Sequence, residues 1–129
     1  MKIAVTAEGP TLDSKVDSRF GRCQYFIVAD PETLEFEAIE NSSAMGGGAG
    51  ISASQIIAGK QVDVVLTGNC GPNAYRALSA AGIKVVTEVS GDVREAIQGY
   101  KLGKLKVSAQ PNVAAHFGIG TSRRYEWRS

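Results

Sequence analysis

The chain has 129 residues, 43% of them hydrophobic, enough for one domain to close its own core. Fourteen basic and 13 acidic residues leave a net charge of +1, so no broad positive field exists to hold duplex DNA or an anionic membrane. The opening residues carry only a short apolar run before Glu8, too short for a signal-peptide core or a membrane span, which predicts a cytoplasmic protein.

In chain order, residues 2–7 (KIAVTA) read as a buried-type strand, followed at 8–19 by a polar stretch of Asp, Ser, Gly and Pro expected to be a long loop. Residues 23–30 are β-branched and aromatic. Asp30, Pro31 and Glu32 supply turn chemistry, and in 34–41 Leu34, Phe36 and Ala38 alternate with polar partners, which predicts a hairpin with its second strand at a sheet edge. A glycine-rich approach at 42–50 leads into a helix with Ala49, Ala53, Ile56 and Ile57 on one face, ending near Gly59. Residues 62–67 (VDVVLT) form the next strand. Pro72 stands at a favoured first helical position, Ala74, Ala77, Leu78 and Ala81 share one helix face, and Gly82 is the stop. A strand at 83–89 precedes a third helix, marked by the capping-box pair Asp92 and Glu95 and by Val93, Ala96, Ile97 and Tyr100. Periodicity fades after Leu105, so the expected division is a domain over 1–109 and a flexible tail over 110–129.

This order predicts an α/β fold with a five-stranded mixed sheet, the second strand antiparallel to the other four, and three helices. The loop after the first strand, the glycine run and the turn at 68–71 then emerge together at the carboxyl ends of parallel strands, where open α/β sheets bind ligands. Two of these loops lead into helix N-termini, whose amides and dipoles attract anions. The expected guest is compact and negatively charged.

The residues FGRCQYFIVAD (20–30), the glycines of 46–50 and TGNCGPNA (67–74) resemble the dinitrogenase iron-molybdenum cofactor-binding family over roughly residues 1–106. The resemblance implies a ribonuclease H-like α/β fold and a role in holding metal-sulfide clusters. On the loops of that shared edge the candidate cofactor-binding positions are Phe20, Gly21 and Arg22, then Gly46, Gly47, Gly48 and Gly50, which either cradle the ligand or form a flexible linker, and Gly68, Asn69 and Gly71. The implied cargo is a molybdenum- or iron-containing sulfide cluster, including a molybdenum/copper type, which need not survive purification. A cluster donor or acceptor protein is the implied partner.

The residues themselves add candidates. Cys70 precedes a helix start, which predicts a lowered pKa and a thiolate fit for soft metals, against the plainer reading of a small turn residue. Cys23 opens a strand. Its thiol is either packing or a second metal ligand, about two strand spacings (~10 Å) from Cys70 and out of disulfide reach. Arg19 and Arg22 flank the Phe-Gly turn and can face either an anion or solvent. His116 is the single histidine, placed in the tail as an incidental residue or a swinging ligand.

No catalytic set emerges. A two-metal nuclease needs several carboxylates, one of them on the first strand, and residues 2–7 contain none. Asp63 is a lone strand acid, Asp13 and Asp17 are expected on a mobile loop, and one histidine builds no Ser/His/Asp triad. The expectation is a noncatalytic cluster carrier, monomeric or dimeric through its edge strand. The alternatives are a regulatory module binding a nucleotide or other phosphate at the same helix N-termini, and a pure protein-interaction domain.

Overall fold

Strand β1 (Ile3–Ala7) is buried over its whole length and takes the centre of the sheet. On one side it pairs antiparallel with β2 (Tyr25–Ala29), Ile3 opposite Ala29 and Ala7 opposite Tyr25, and β2 pairs antiparallel with β3 (Phe36–Glu40) at the edge. On the other side it runs parallel to β4 (Val64–Leu66), which runs parallel to β5 (Lys84–Val86). The order is β3-β2-β1-β4-β5, with β2 alone reversed, as the sequence predicts. This computed structural model describes residues 1–42 and 47–112; Gly46, His116 and the rest of 113–129 lie outside the described residues.

Because strand side chains alternate between faces, β1 feeds two separate cores. Ile3, Val5 and Ala7 join Ile27, Ala29, Val64, Leu66 and Val86 under helix α3 (Val93–Lys101), through Val93, Ala96 and Ile97. Ala4 joins Phe26, Val28, Val65 and Val85 on the other face, where α1 (Ala49–Gly59) and α2 (Pro72–Ala80) contribute Ala53, Ile57, Ala74 and Leu78. Helix α2 ends where Gly82 adopts φ +79, with the Gly82 N–H donating to Ser79 O and the Ile83 N–H to Leu78 O.

The predicted capping box is complete: Asp92 Oδ1 accepts from the Glu95 N–H at 2.7 Å and Glu95 Oε1 from the Asp92 N–H at 3.2 Å. The stretch 8–19 departs from its expectation as a loose loop. Leu12, Val16 and Asp17 are buried, and the carbonyls of Leu12 and Ser14 accept the first amides of α3, Arg94 N–H and Val93 N–H, each at 2.9 Å. Polar composition concealed two apolar anchors and a backbone cap for a neighbouring helix.

The aperiodic segment after α3, inside the expected domain over 1–109, is tied to β5. Ser108 N–H donates to Val85 O at 2.7 Å, Ser108 Oγ lies 2.9 Å from Thr87 Oγ1, and Tyr75 donates its hydroxyl to Ser108 O at 3.0 Å. This strap covers the outer edge of β5, which would otherwise present unpaired backbone groups. Replacing Asp92 by Ala removes a side-chain cap worth ~1 kcal/mol. The expected result is a lower urea midpoint with an unchanged m-value, measured by far-UV circular dichroism.

Candidate functional site

All three loops expected at the carboxyl ends of the parallel strands meet there. Arg19 forms a parallel bridge with Asn69, and Phe20 N–H donates to Asn69 O at 3.2 Å, which ties the loop after β1 to the turn after β4. The contact has no room for side chains. A Cβ on Gly68 would lie 2.6 Å from Ser18 Cα, and a Cβ on Gly21 would lie 2.7 Å from Gly50 N. At both positions glycine is required by close backbone approach rather than by an unusual dihedral.

The consequence is that two helix starts touch. A Cβ on Gly50, the second residue of α1, would meet the Ala74 Cβ of α2 at 3.2 Å, and Ser54 donates its hydroxyl to Gly50 O at 2.8 Å beneath them. Neither start carries a side-chain cap or an acidic residue in its first turn: α1 begins after Gly48, at φ +68, and α2 after Gly71. Helix α3 has its full capping box. Two partial positive charges of about half an electron each are thus held together with no side-chain cap or first-turn acid among the described residues.

Two asparagines that sequence reasoning left unassigned hold this rim in place. Buried Asn41, at the end of β3, donates through Nδ2 to Gly21 O at 3.0 Å and Cys23 O at 2.9 Å, fixing the Phe-Gly-Arg turn. Asn112 accepts from the Cys70 N–H at 2.8 Å and donates through Nδ2 to Gly68 O at 3.2 Å and Asn69 Oδ1 at 3.0 Å. Its own N–H donates to Cys70 O at 3.2 Å. A sequence signal existed only for Asn41, as a polar residue closing an apolar hairpin.

Of the predicted positions, Phe20, Gly21, Arg22, Gly47, Gly48, Gly50, Gly68, Asn69 and Gly71 lie on these loops, with Arg22 exposed at the turn. Arg19 is at the rim too, but its charge is engaged. Its Nε lies 3.3 Å from Asp17 Oδ1, and its backbone N–H donates to the same oxygen at 3.0 Å. Asp17 is buried and raises the arginine's pKa. The Arg19 side chain, expected to face either an anion or solvent, is more than half exposed and paired with buried Asp17.

The cysteines correct a second expectation. Cys23 and Cys70 are free thiols, 0% and 1% exposed, packed into the same core cluster as Phe26 and Leu78. Burial pushes Cys70 up to about 12, the opposite direction to that expected from its place before a helix start. Burial, reinforced by the Asp17 charge, does the same to Cys23. Among the described residues no group of three His, Cys, Asp or Glu side chains could hold a metal ion. Both thiols should resist Ellman's reagent at neutral pH until the chain unfolds. Since the folded pKa lies above the ordinary 9.0, the neutral thiols favour the native state up to about pH 9, and that contribution is lost as the pH rises toward 12. The fall in urea midpoint from pH 8 to pH 10.5 should be steeper for the wild type than for Cys23→Ala/Cys70→Ala.

The matches to known proteins follow this same architecture. The apo orange protein from Desulfovibrio gigas superposes with a TM-score of 0.84 at 47% identity, covering 86% of this chain and 95% of that one. A solution structure from Thermotoga, provisionally described as a NifB protein, matches with a TM-score of 0.72 at 37% identity over 82% of this chain and 91% of that one. An uncharacterized protein of Methanocaldococcus jannaschii is 32% identical over 110 residues, 82% of this chain and 90% of its own. The family model described as dinitrogenase iron-molybdenum cofactor matches residues 1–103, the span that carries the sheet, the three helices and both uncapped helix starts, and the chain belongs to that family.

Proposed function

We propose that the protein is a noncatalytic carrier of an anionic metal-sulfide cluster of the molybdenum/iron or molybdenum/copper type, held as cargo at the rim where α1 and α2 begin. Family membership supports a general cofactor-carrying role. The observation that carries the finer reading is the contact between two helix N-termini, both opened by glycine and both without a side-chain cap, whereas the third helix, on the opposite face of the sheet, has one.

The chemistry follows from that arrangement. Backbone amides and helix dipoles hold an anion without forming a covalent bond, so a cluster can be taken up and passed on intact. Glycines let it approach the main chain closely. The buried, protonated thiols support a hold through amides and arginine charge, with Cys23 and Cys70 packing the rim from beneath rather than ligating. Release to an acceptor protein then needs no ligand exchange at sulfur.

The test is anaerobic reconstitution of the full chain with tetrathiomolybdate and copper(I), followed by desalting, metal analysis and a visible spectrum. The wild type is expected to retain stoichiometric metal and a visible absorption band. Gly48 sits in open space, so Gly48→Asp places a carboxylate at the start of α1 while Gly48→Asn adds a similar volume without charge. Retention should fall at least tenfold for Asp relative to Asn, the scale of one adverse charge in a partly buried site. Equal retention by the two variants, or none by the wild type, removes the reading. A thermal shift with inorganic phosphate or a nucleotide but none with thiomolybdate favours the phosphate-binding module instead.

A further inference from the structure

Stability does not explain why the rim carries a buried acid. The Asp17 side chain is 3% exposed, and every hydrogen bond its carboxylate accepts among the described residues comes from Arg19. The Arg19 backbone N–H at 3.0 Å and Nε at 3.3 Å reach Oδ1, and Nη2 reaches Oδ2 at 3.4 Å. The arginine side chain is itself 57% exposed. Desolvating a carboxylate to pair it with a solvated arginine adds little net stability, and replacing such a pair by apolar residues is often neutral or stabilising. Asp17 is nevertheless clamped to the central strand. Its N–H donates to Thr6 O at 2.8 Å and its carbonyl accepts the Thr6 hydroxyl at 2.7 Å.

The pairing leaves the guanidinium ordered but open. Asp17 engages the edge formed by Nε and Nη2, while Nη1 has no hydrogen-bond partner among the described residues. The backbone is fixed as well, because Arg19 is bridged to Asn69, in the turn that opens α2, and the next residue donates its N–H to Asn69 O. A long arginine side chain ordinarily loses freedom when it meets a ligand, which weakens association. Here the buried carboxylate has ordered it beforehand. What remains is the end-on edge of a planar fork, suited to an anion with two neighbouring acceptor atoms, such as adjacent sulfurs of a thiometallate.

We propose that Arg19 is the guanidinium that contacts the bound anion and that Asp17 is its positioning residue. This rests on the cradle reading. The starts of α1 and α2 supply fixed partial charges, and Arg19 adds its open edge from the loop bridged to the same turn. Because Asp17 offsets the arginine's long-range field, the contribution is directional hydrogen bonding more than net charge. Positioning and simple charge therefore predict opposite signs. Removing the Asp17 carboxylate makes the rim more positive, yet it weakens binding because the arginine is set loose.

The test titrates the full chain anaerobically with tetrathiomolybdate, with the urea midpoint of each variant measured alongside. Arg19→Gln and Arg19→Lys should both bind about tenfold more weakly, the scale of a lost charge-assisted hydrogen bond, since lysine keeps the charge and loses the fork. Asp17→Asn should bind about threefold more weakly, the scale of ordering one long side chain, and should add nothing in the Arg19→Gln background. Unchanged or tighter binding by Asp17→Asn, or wild-type affinity in Arg19→Gln, overturns the assignment while the cradle stands. A measurement on the wild type depends on no variant folding. In a ¹H–¹⁵N spectrum the Arg19 Nε–H resonance should be resolved in the free protein and should shift on adding tetrathiomolybdate. If the amides at the starts of α1 and α2 shift and Arg19 Nε–H does not, Arg19 has no part in the site. If neither responds, the cradle fails and this assignment with it.

Discussion

The proposed site depends on two helix N-termini being pressed together with no side-chain cap or first-turn acid among the described residues. Helix starts ordinarily recruit a Ser, Asp or Asn side chain, or an acidic residue in the first turn, because their leading amides lack partners. Helix α3 obeys that rule with Asp92 and Glu95, and gains the carbonyls of Leu12 and Ser14 besides. Helices α1 and α2 do not, and they are the two that meet, Gly50 against Ala74. Within one chain, the contrast marks the place where an external anion has something to gain.

Holding that arrangement takes rigid support. The backbones of Gly68 and Ser18, and of Gly21 and Gly50, approach too closely for a side chain between them, while Asn41 and Asn112 stitch the turns from either side. Beneath the rim the Thr6 hydroxyl donates to Asp17 O at 2.7 Å and shares a 2.9 Å hydrogen bond with the Thr67 hydroxyl, all in full burial. A buried polar seam of this kind is stable only when each member is satisfied. The proposed binding edge is thus held by contacts within the chain itself, and an edge organised in advance reduces the ordering cost of association. Family membership supports a general cofactor-carrying role, and no helix among the described residues is long and apolar enough to cross a membrane.

Much of the scaffold was legible from the sequence because it rests on local rules. Branched residues in short runs gave the strands, the alternation through Phe36 and Ala38 gave the edge, and Pro72, Gly82 and the Asp92/Glu95 pair bounded two helices. The shared rim followed from topology alone. What was not legible depends on contacts distant in the chain. Cys70 stands at a helix start, yet burial against β-strand side chains decides its proton affinity. Arg19 looks unpaired until the fold buries Asp17 beside it. The strap through Ser108 and Asn112 has no periodicity, because an irregular segment lying on a sheet edge needs only a few hydrogen bonds to stay there.

The central claim concerns particular amides, so the most direct measurement observes them. A ¹H–¹⁵N correlation spectrum of the labelled full chain, titrated anaerobically with tetrathiomolybdate, reports each backbone N–H. The account predicts that the largest shifts fall at Gly48 to Ile51 and at Asn73 to Tyr75, with little change at the capped start of α3 around Asp92 to Glu95. Shifts concentrated at α3 or along β3, with the starts of α1 and α2 undisturbed, would contradict it.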